Sequence, residues 1–156
     1  MHLTQFSDYG LRIALYLACH EGRLVSVDEI ARAYGVSRNH LVKVVQTLTD
    51  LGVVESQRGR GGGMRLAMSA TAINVGWLVR RTEPHFELVE CFDEVANTCP
   101  IAPACGLKTA LARAQQAFLA VLDEYTLDQF QARRELLRPF WETMLAEPDR
   151  AESSAR

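Results

Sequence analysis

The feature that most restricts how this chain can fold lies between residues 26 and 67. Two capped helical segments are joined by a glycine turn, and a short glycine-rich basic hairpin follows them. Ser26 and Glu29 have the Ser-x-x-Glu spacing of a capping box. Ile30 and Tyr34 supply an apolar face, and Gly35 ends that short helix. Ser37 opens the next helix, in which Leu41, Val44, Val45 and Leu48 share one face before Gly52, a residue suited to a left-handed cap. A short helix, a glycine turn and a longer helix with a polar start form a helix-turn-helix pattern. Residues 53–57 and 64–67 read as strands around Arg58-Gly59-Arg60-Gly61-Gly62-Gly63, so a basic β wing follows the second helix.

The elements on either side fit this frame. Leu11, Leu15 and Ala18 predict a core-facing helix over residues 5–20, stopped by Gly22, and a helix over 72–81 should bury Ile73, Trp77 and Leu78. After Pro84 the periodicity is lost until 105, with Pro100 and Pro103 interrupting the segment. It returns at Leu107, Leu111, Ala114, Phe118, Val121 and Tyr125, whose alternating spacing of four and three makes a heptad seam with small residues beside it. We read this as a dimerisation helix about 28 Å long. A short helix should follow Thr126. The expected architecture is mainly α: a winged helix-turn-helix with a two-stranded β wing and a long C-terminal dimerisation helix. The expected divisions are 1–82 for DNA binding, 83–106 for the cysteine loop, 107–135 for the dimerisation and following helices, and 136–156 for a partly disordered extension.

Charge distribution says more about partners than the net value of -2. Residues 37–67 carry Arg38, Lys43, Arg58, Arg60 and Arg65 against Asp50 and Glu55, whereas 83–100 carry five acids and no Lys or Arg, read as a solvated face. Arg38, Asn39 and His40 are placed to read base edges of double-stranded DNA. Ser37 and Lys43 suit phosphates, and Arg58 and Arg60 suit the adjacent minor groove or its backbone. The glycine run lacks the Gly-Lys-Ser/Thr ending of a nucleotide-phosphate loop. The longest apolar run, residues 13–19, is too short for a membrane span, so the expected location is the cytoplasm.

Cys19 lies in an apolar helix and reads as a core residue. Cys91, Cys99 and Cys105 are spaced Cys-x7-Cys-x5-Cys in the proline-broken loop. Three thiols are an odd number for disulfides, and soft ligands in an irregular loop point to iron-sulfur or zinc, with inert or oxidation-sensing thiols as the alternative. Structural zinc favours tighter ligand pairs than these. His85 and Asp8 are candidates for a fourth ligand, although Asp8 is also spaced to pair with Arg12. An enzyme or electron carrier would leave the basic helix-turn-helix unexplained.

The chain resembles the iron-sulfur winged-helix transcription regulators of the IscR/NsrR family, and within it the nitric-oxide-sensing repressors. The resemblance rests on Leu3-Thr4-Gln5-Phe6-Ser7-Asp8-Tyr9-Gly10-Leu11-Arg12, on Tyr34-Gly35-Val36-Ser37-Arg38-Asn39-His40-Leu41-Val42-Lys43, on the wing, and on Pro103-Ala104-Cys105-Gly106-Leu107-Lys108. It implies a homodimer that binds inverted-repeat operator half-sites. It also implies a 4Fe-4S cluster on Cys91, Cys99 and Cys105 with Asp8 of the partner subunit, and repression relieved by nitric oxide. Lys108 stands where IscR-like members have a histidine, which favours the nitric-oxide-sensing branch.

Overall fold

The computed structural model describes residues 2–59, 61–93 and 95–147. Helix α1 (Gln5–Cys19) begins where the Thr4 hydroxyl accepts the Ser7 N–H at 3.3 Å, and it buries Ile13, Ala14, Tyr16 and Leu17. It is the central element, packing against α3, α4, α6 and β2.

Helix α2 (Val27–Tyr34) is capped by Ser26, whose hydroxyl accepts the Glu29 N–H at 3.1 Å. The reciprocal half of the expected box is not made. Glu29 instead accepts the Tyr16 hydroxyl at 2.8 Å and the Arg23 guanidinium, a charge-assisted partner that outcompetes a backbone amide. Gly35 stands at φ +62°, which only glycine adopts without strain, and turns the chain into α3 (Arg38–Asp50). Ser37 occupies the N-cap of α3 without a side-chain capping bond.

Strands β1 (Val54–Gln57) and β2 (Gly63–Leu66) pair antiparallel with Val54 opposite Leu66 and Gln57 opposite Gly63. Mutual backbone bonds between Val25 and Met64, at 2.9 and 2.8 Å, fasten the wing to the start of α2. Helix α4 (Val75–Thr82) starts later than its periodicity predicts. A 3-10 turn over Ala70–Ala72 comes first, Ile73 is extended, and the Asn74 side chain caps α4 by accepting the Trp77 N–H at 2.8 Å. Ile73 and Leu78 are fully buried as expected, whereas Trp77 is half-buried beneath the Arg81 guanidinium, 5.3 Å from its ring.

The segment after α4 contains 3-10 turns at Glu90–Phe92 and Ala102–Ala104 and leads into α5 (Gly106–Asp123), none of whose residues is buried. Helix α6 (Leu127–Gln131) opens on a complete capping box between Thr126 and Gln129. Helix α7 (Arg134–Ala146) lies within residues read from sequence as a short helix and a partly disordered extension. It packs on α2 and brings Trp141 into the first core, against Tyr16 at 4.8 Å, His20 at 5.5 Å and Tyr34 at 6.0 Å between ring centres. The tail beyond 147 lies outside the described residues. No helix among the described residues is long and apolar enough to cross a membrane.

Candidate functional site

Helix α3 turns Leu41, Val44 and Leu48 inward and leaves Ser37, Arg38, Asn39, His40 and Lys43 exposed together on its outer side. The period of 3.6 residues dictates that separation. The Arg38 guanidinium lies 2.9 Å from the Asp28 carboxylate at the start of α2, so the helix-turn-helix itself aims this side chain. The His40 ring stacks over Tyr9 at 6.3 Å. Arg58 is exposed on the wing beside Gly59, whose φ of +106° sharpens the turn, and Arg60 lies outside the described residues. Arg65, across the strand pair from Glu55, is ion-paired with it, which leaves Arg58 as the uncommitted wing cation among the described residues. A groove of about 680 Å³ runs between the outer side of α3 and the wing.

The second candidate region is the segment between α4 and α5. Cys91, Cys99 and Cys105 are all free and half-buried, while Cys19 is buried in the core as expected. Burial pushes the Cys19 thiol up, which keeps it protonated and inert. The acidic stretch does more than face solvent. Glu90 accepts the Thr98 N–H and hydroxyl, and Asp93 accepts the N–H groups of Val95 at 2.8 Å and Ala96 at 3.0 Å. These bonds hold both carboxyls below the usual carboxylate range and stitch the segment between Cys91 and Cys99 into turns. Asn97 adds a bond to the Cys99 N–H at 3.0 Å.

The segment is also tied at both margins. Glu83 accepts the Thr4 N–H and hydroxyl, each at 3.1 Å, so its start is fastened to the first residues of α1. The Gln115 amide donates to the Phe86 carbonyl and fastens it to α5. Asp8 lies one turn into α1 and is paired with Arg12 at 2.7 Å, as the i, i+4 spacing allowed. His85 is exposed and sits near Glu87.

Within a single chain, no three His, Cys, Asp or Glu side chains among the described residues converge on one metal-sized point. The donor set nevertheless has the chemistry of a soft metal centre: three free, accessible thiols within fifteen residues, with the Asp93 carboxylate between the first two engaged by the Val95 and Ala96 N–H groups. The residues therefore fit an iron-sulfur group by donor type, and one protomer alone does not assemble its geometry.

Helix α5 joins this region to the reading surface. Its first turn follows Cys105 directly. At its other end the Arg80 guanidinium grips the Asp123 carboxylate, and the Asn74 amide donates to the carbonyls of Asp123 at 2.7 Å and Tyr125 at 3.2 Å. Gly76 lies so close that an added Cβ would stand 2.9 Å from the Asp123 backbone nitrogen. This joint between α4 and α5 was not legible in the sequence, because Arg80 and Asp123 are 43 residues apart and neither belongs to an apolar period.

Residues 3–133 match the family model described as Rrf2, iron-dependent transcriptional regulator. The chain is 49% identical over 136 residues to the HTH-type transcriptional regulator NsrR of Bacillus subtilis (strain 168), covering 86% of this chain and 93% of that protein. It is 45% identical over 139 residues to the NsrR of Bacillus licheniformis, covering 88% and 97%. Among solved structures, CymR, described as the global cysteine regulator of B. subtilis, matches with a TM-score of 0.67 at 28% identity, covering 85% of this chain and 97% of that one. The IscR of T. potens matches with a TM-score of 0.66 at 25% identity, covering 95% and 94%. The winged helix, the cysteine segment and α5 all fall within the matched span, and the chain belongs to the Rrf2 family of iron-dependent transcriptional regulators.

Proposed function

We propose that this transcription regulator of the NsrR type binds operator DNA in the cytoplasm as a homodimer and represses until nitric oxide reaches a 4Fe-4S cluster. Cys91, Cys99 and Cys105 of one subunit, with Asp8 of the partner subunit, would hold that cluster. The observation that carries the reading is the course of α5, which begins at the third cysteine and ends in the Arg80–Asp123 joint with the winged helix. An enzymatic role, weighed from the sequence, falls with the family membership.

Each part has a physical basis. Ser37, Arg38, Asn39, His40 and Lys43 form one exposed face on α3, with Arg58 on the wing beside it and Arg60 two positions on in the sequence. Such a face fits the major groove with the wing against the neighbouring backbone. No residue of α5 is fully buried in its own chain, and Leu107 is 66% and Val121 51% exposed, which supports a partner helix along the Leu107, Leu111, Ala114, Phe118 and Val121 seam. A symmetric pair would present two copies of α3 to half-sites about 34–36 Å apart, so a change in their separation changes operator affinity.

When bound, an iron-sulfur cluster supplies a redox-active centre with which nitric oxide reacts. Asp8 would offer oxygen where the other donors offer sulfur, and would be the least firmly held of the four residues. Arg12, 2.7 Å from Asp8 in the single chain, is ready to retain that carboxylate whenever it is not clasped across the dimer. Release of Asp8 would loosen the two subunits and their spacing on DNA.

The test is anaerobic purification followed by iron, sulfide and zinc analysis and by operator binding with and without nitric oxide. The wild type should contain iron and labile sulfide, and each of Cys91→Ser, Cys99→Ser and Cys105→Ser should lose both while Cys19→Ala keeps them. Zinc in place of iron, or metal-free protein that binds the operator as tightly as the metal-loaded form, overturns the proposal.

A further inference from the structure

Charge does not account for one row on the outer side of α3. Arg38, Val42 and Gln46 recur at intervals of four residues and face the groove between α3 and the wing. Val42 is 41% exposed, and among the described residues of 2–82 it is the one large apolar side chain left that open. A solitary exposed valine is unremarkable on a general surface, but this one stands between an arginine and a glutamine on the face offered to DNA. Gln46 is oriented as well: its Nε2 donates to the Asp50 carboxylate at 2.9 Å. A carboxylate accepts only from the nitrogen side of the amide, so this bond fixes which way the amide lies. It leaves one N–H and the Oε1 acceptor free, and these are the two groups that an adenine edge binds through N7 and its N6 amino group.

We propose that Val42 and Gln46 are specificity-determining residues, Val42 contacting a thymine methyl and Gln46 pairing with an adenine in the operator half-site. This rests on the reading of α3 as the helix in the major groove. Four residues advance along a helix by about 6 Å, close to two base-pair steps of about 3.4 Å, so the row samples the half-site at intervals of about two base pairs. Arg38 therefore reads one position, Val42 a thymine about two steps on, and Gln46 an adenine about two steps beyond that. Asp50 is a positioning residue that acts through Gln46.

The experiment uses full-length protein and a duplex selected by the wild type from a randomised pool. Single thymines are replaced by uracil, which removes only the methyl, and single adenines by 7-deazaadenine, which removes only N7. The wild type should bind about three- to fivefold more weakly when one particular thymine loses its methyl, the effect expected for withdrawing one buried methyl. Val42→Ala should be indifferent to that same replacement. Gln46→Ala should bind about tenfold more weakly, lose its preference for adenine at one position and be indifferent to 7-deazaadenine there. Both side chains are exposed, so both variants should melt with the wild type.

Uniform weakening of every duplex by both variants, or wild-type indifference to all uracil replacements, overturns the proposal. Arg38→Ala separates the two levels of failure. If it relaxes one base position while the other two variants relax none, only the assignment of Val42 and Gln46 falls. If it too changes no base preference, the reading of α3 falls and takes this inference with it.

Discussion

Replacing Trp141 with alanine should destabilise the chain more than any other single truncation in α7. Trp141 is 6% exposed and lies against the rings of Tyr16, His20 and Tyr34, binding α7 to α1 and α2. Emptying a site of that size costs about 3–5 kcal/mol, because the lost transfer energy is joined by a cavity that three rigid rings cannot close. Against a typical stability of about 5–15 kcal/mol this is a large share. At about 2–4 °C per kcal/mol for a chain of this length, the melting temperature should fall by about 6–20 °C. The control is on the same helix: Phe140 is 73% and Leu136 69% exposed, and alanine at either should stay within about 0.5 kcal/mol of wild type. Thermal melting followed by far-ultraviolet circular dichroism reads all three. Since α7 packs on α2 and not on the outer side of α3, Trp141→Ala should still bind its operator at temperatures well below its own transition. A Trp141→Ala protein that melts with the wild type, or a Phe140→Ala protein that loses as much, would refute this account of α7.

Three further outcomes follow from named contacts. Burial holds the His20 imidazole below its ordinary 6.5, against the opposing pull of the Tyr16 carbonyl that accepts its Nδ1–H; Arg23 and Arg138 also lower it, and Glu29 raises it. The unfolded chain therefore takes up a proton first, so stability is complete above pH 6.5 and declines as pH falls below it; melting temperatures across that window should fall in the wild type and flatten in His20→Gln. Gly76→Ala should cost a net 1–2 kcal/mol, roughly, because overpacking against the Asp123 carboxylate and backbone nitrogen exceeds the helix-propensity gain of about 1 kcal/mol; adding Asp123→Ala should recover part of this and not all, since it removes the carboxylate clash and leaves the backbone nitrogen in place. Lys43→Ala should weaken all duplexes alike and lower the salt slope of binding by about one, while Arg38→Ala should cost about 1–3 kcal/mol at one base position, both read by fluorescence anisotropy over a salt series.

Most of the winged helix was legible because its signals are local. The Ser26 cap, Gly35 and Gly52 at positive φ, and a glycine-rich turn between alternating strands each act within a few residues, and the structure has them where the pattern puts them. Where a partner outside the local pattern competed, local reasoning failed. Glu29 left its capping box for Arg23 and Tyr16, and Asn74 moved the start of α4 by capping it while also binding the end of α5. Helix α7 was lost for a different reason. Pro139 lies six residues into it, past the first turn where proline is tolerated, so local propensity argues against a helix there. Yet Leu137, Trp141 and Met144 keep helical spacing across that proline, and Trp141 among them was the available sign of a buried face.

The cysteine segment marks where reading one chain must stop, and the physical reason is visible in how it is held. Apart from Ala102, none of its described residues between 83 and 105 is buried, so burial of apolar surface does not select its conformation. What holds it is a set of short-range bonds to Glu90, Asp93 and Asn97 and two tethers, Glu83 to Thr4 and Gln115 to Phe86. Exposed hydrogen bonds of this kind contribute little net stability, which leaves the segment able to close around whatever its thiols bind. Its ends are not free in the same way. Thr4 begins the helix that carries Asp8, and Cys105 begins the helix whose far end is locked to α4. Soft between firm anchors, the segment is built so that a bound group decides its shape, and any change in that shape is passed first to α1 and α5, the two helices that meet the winged core.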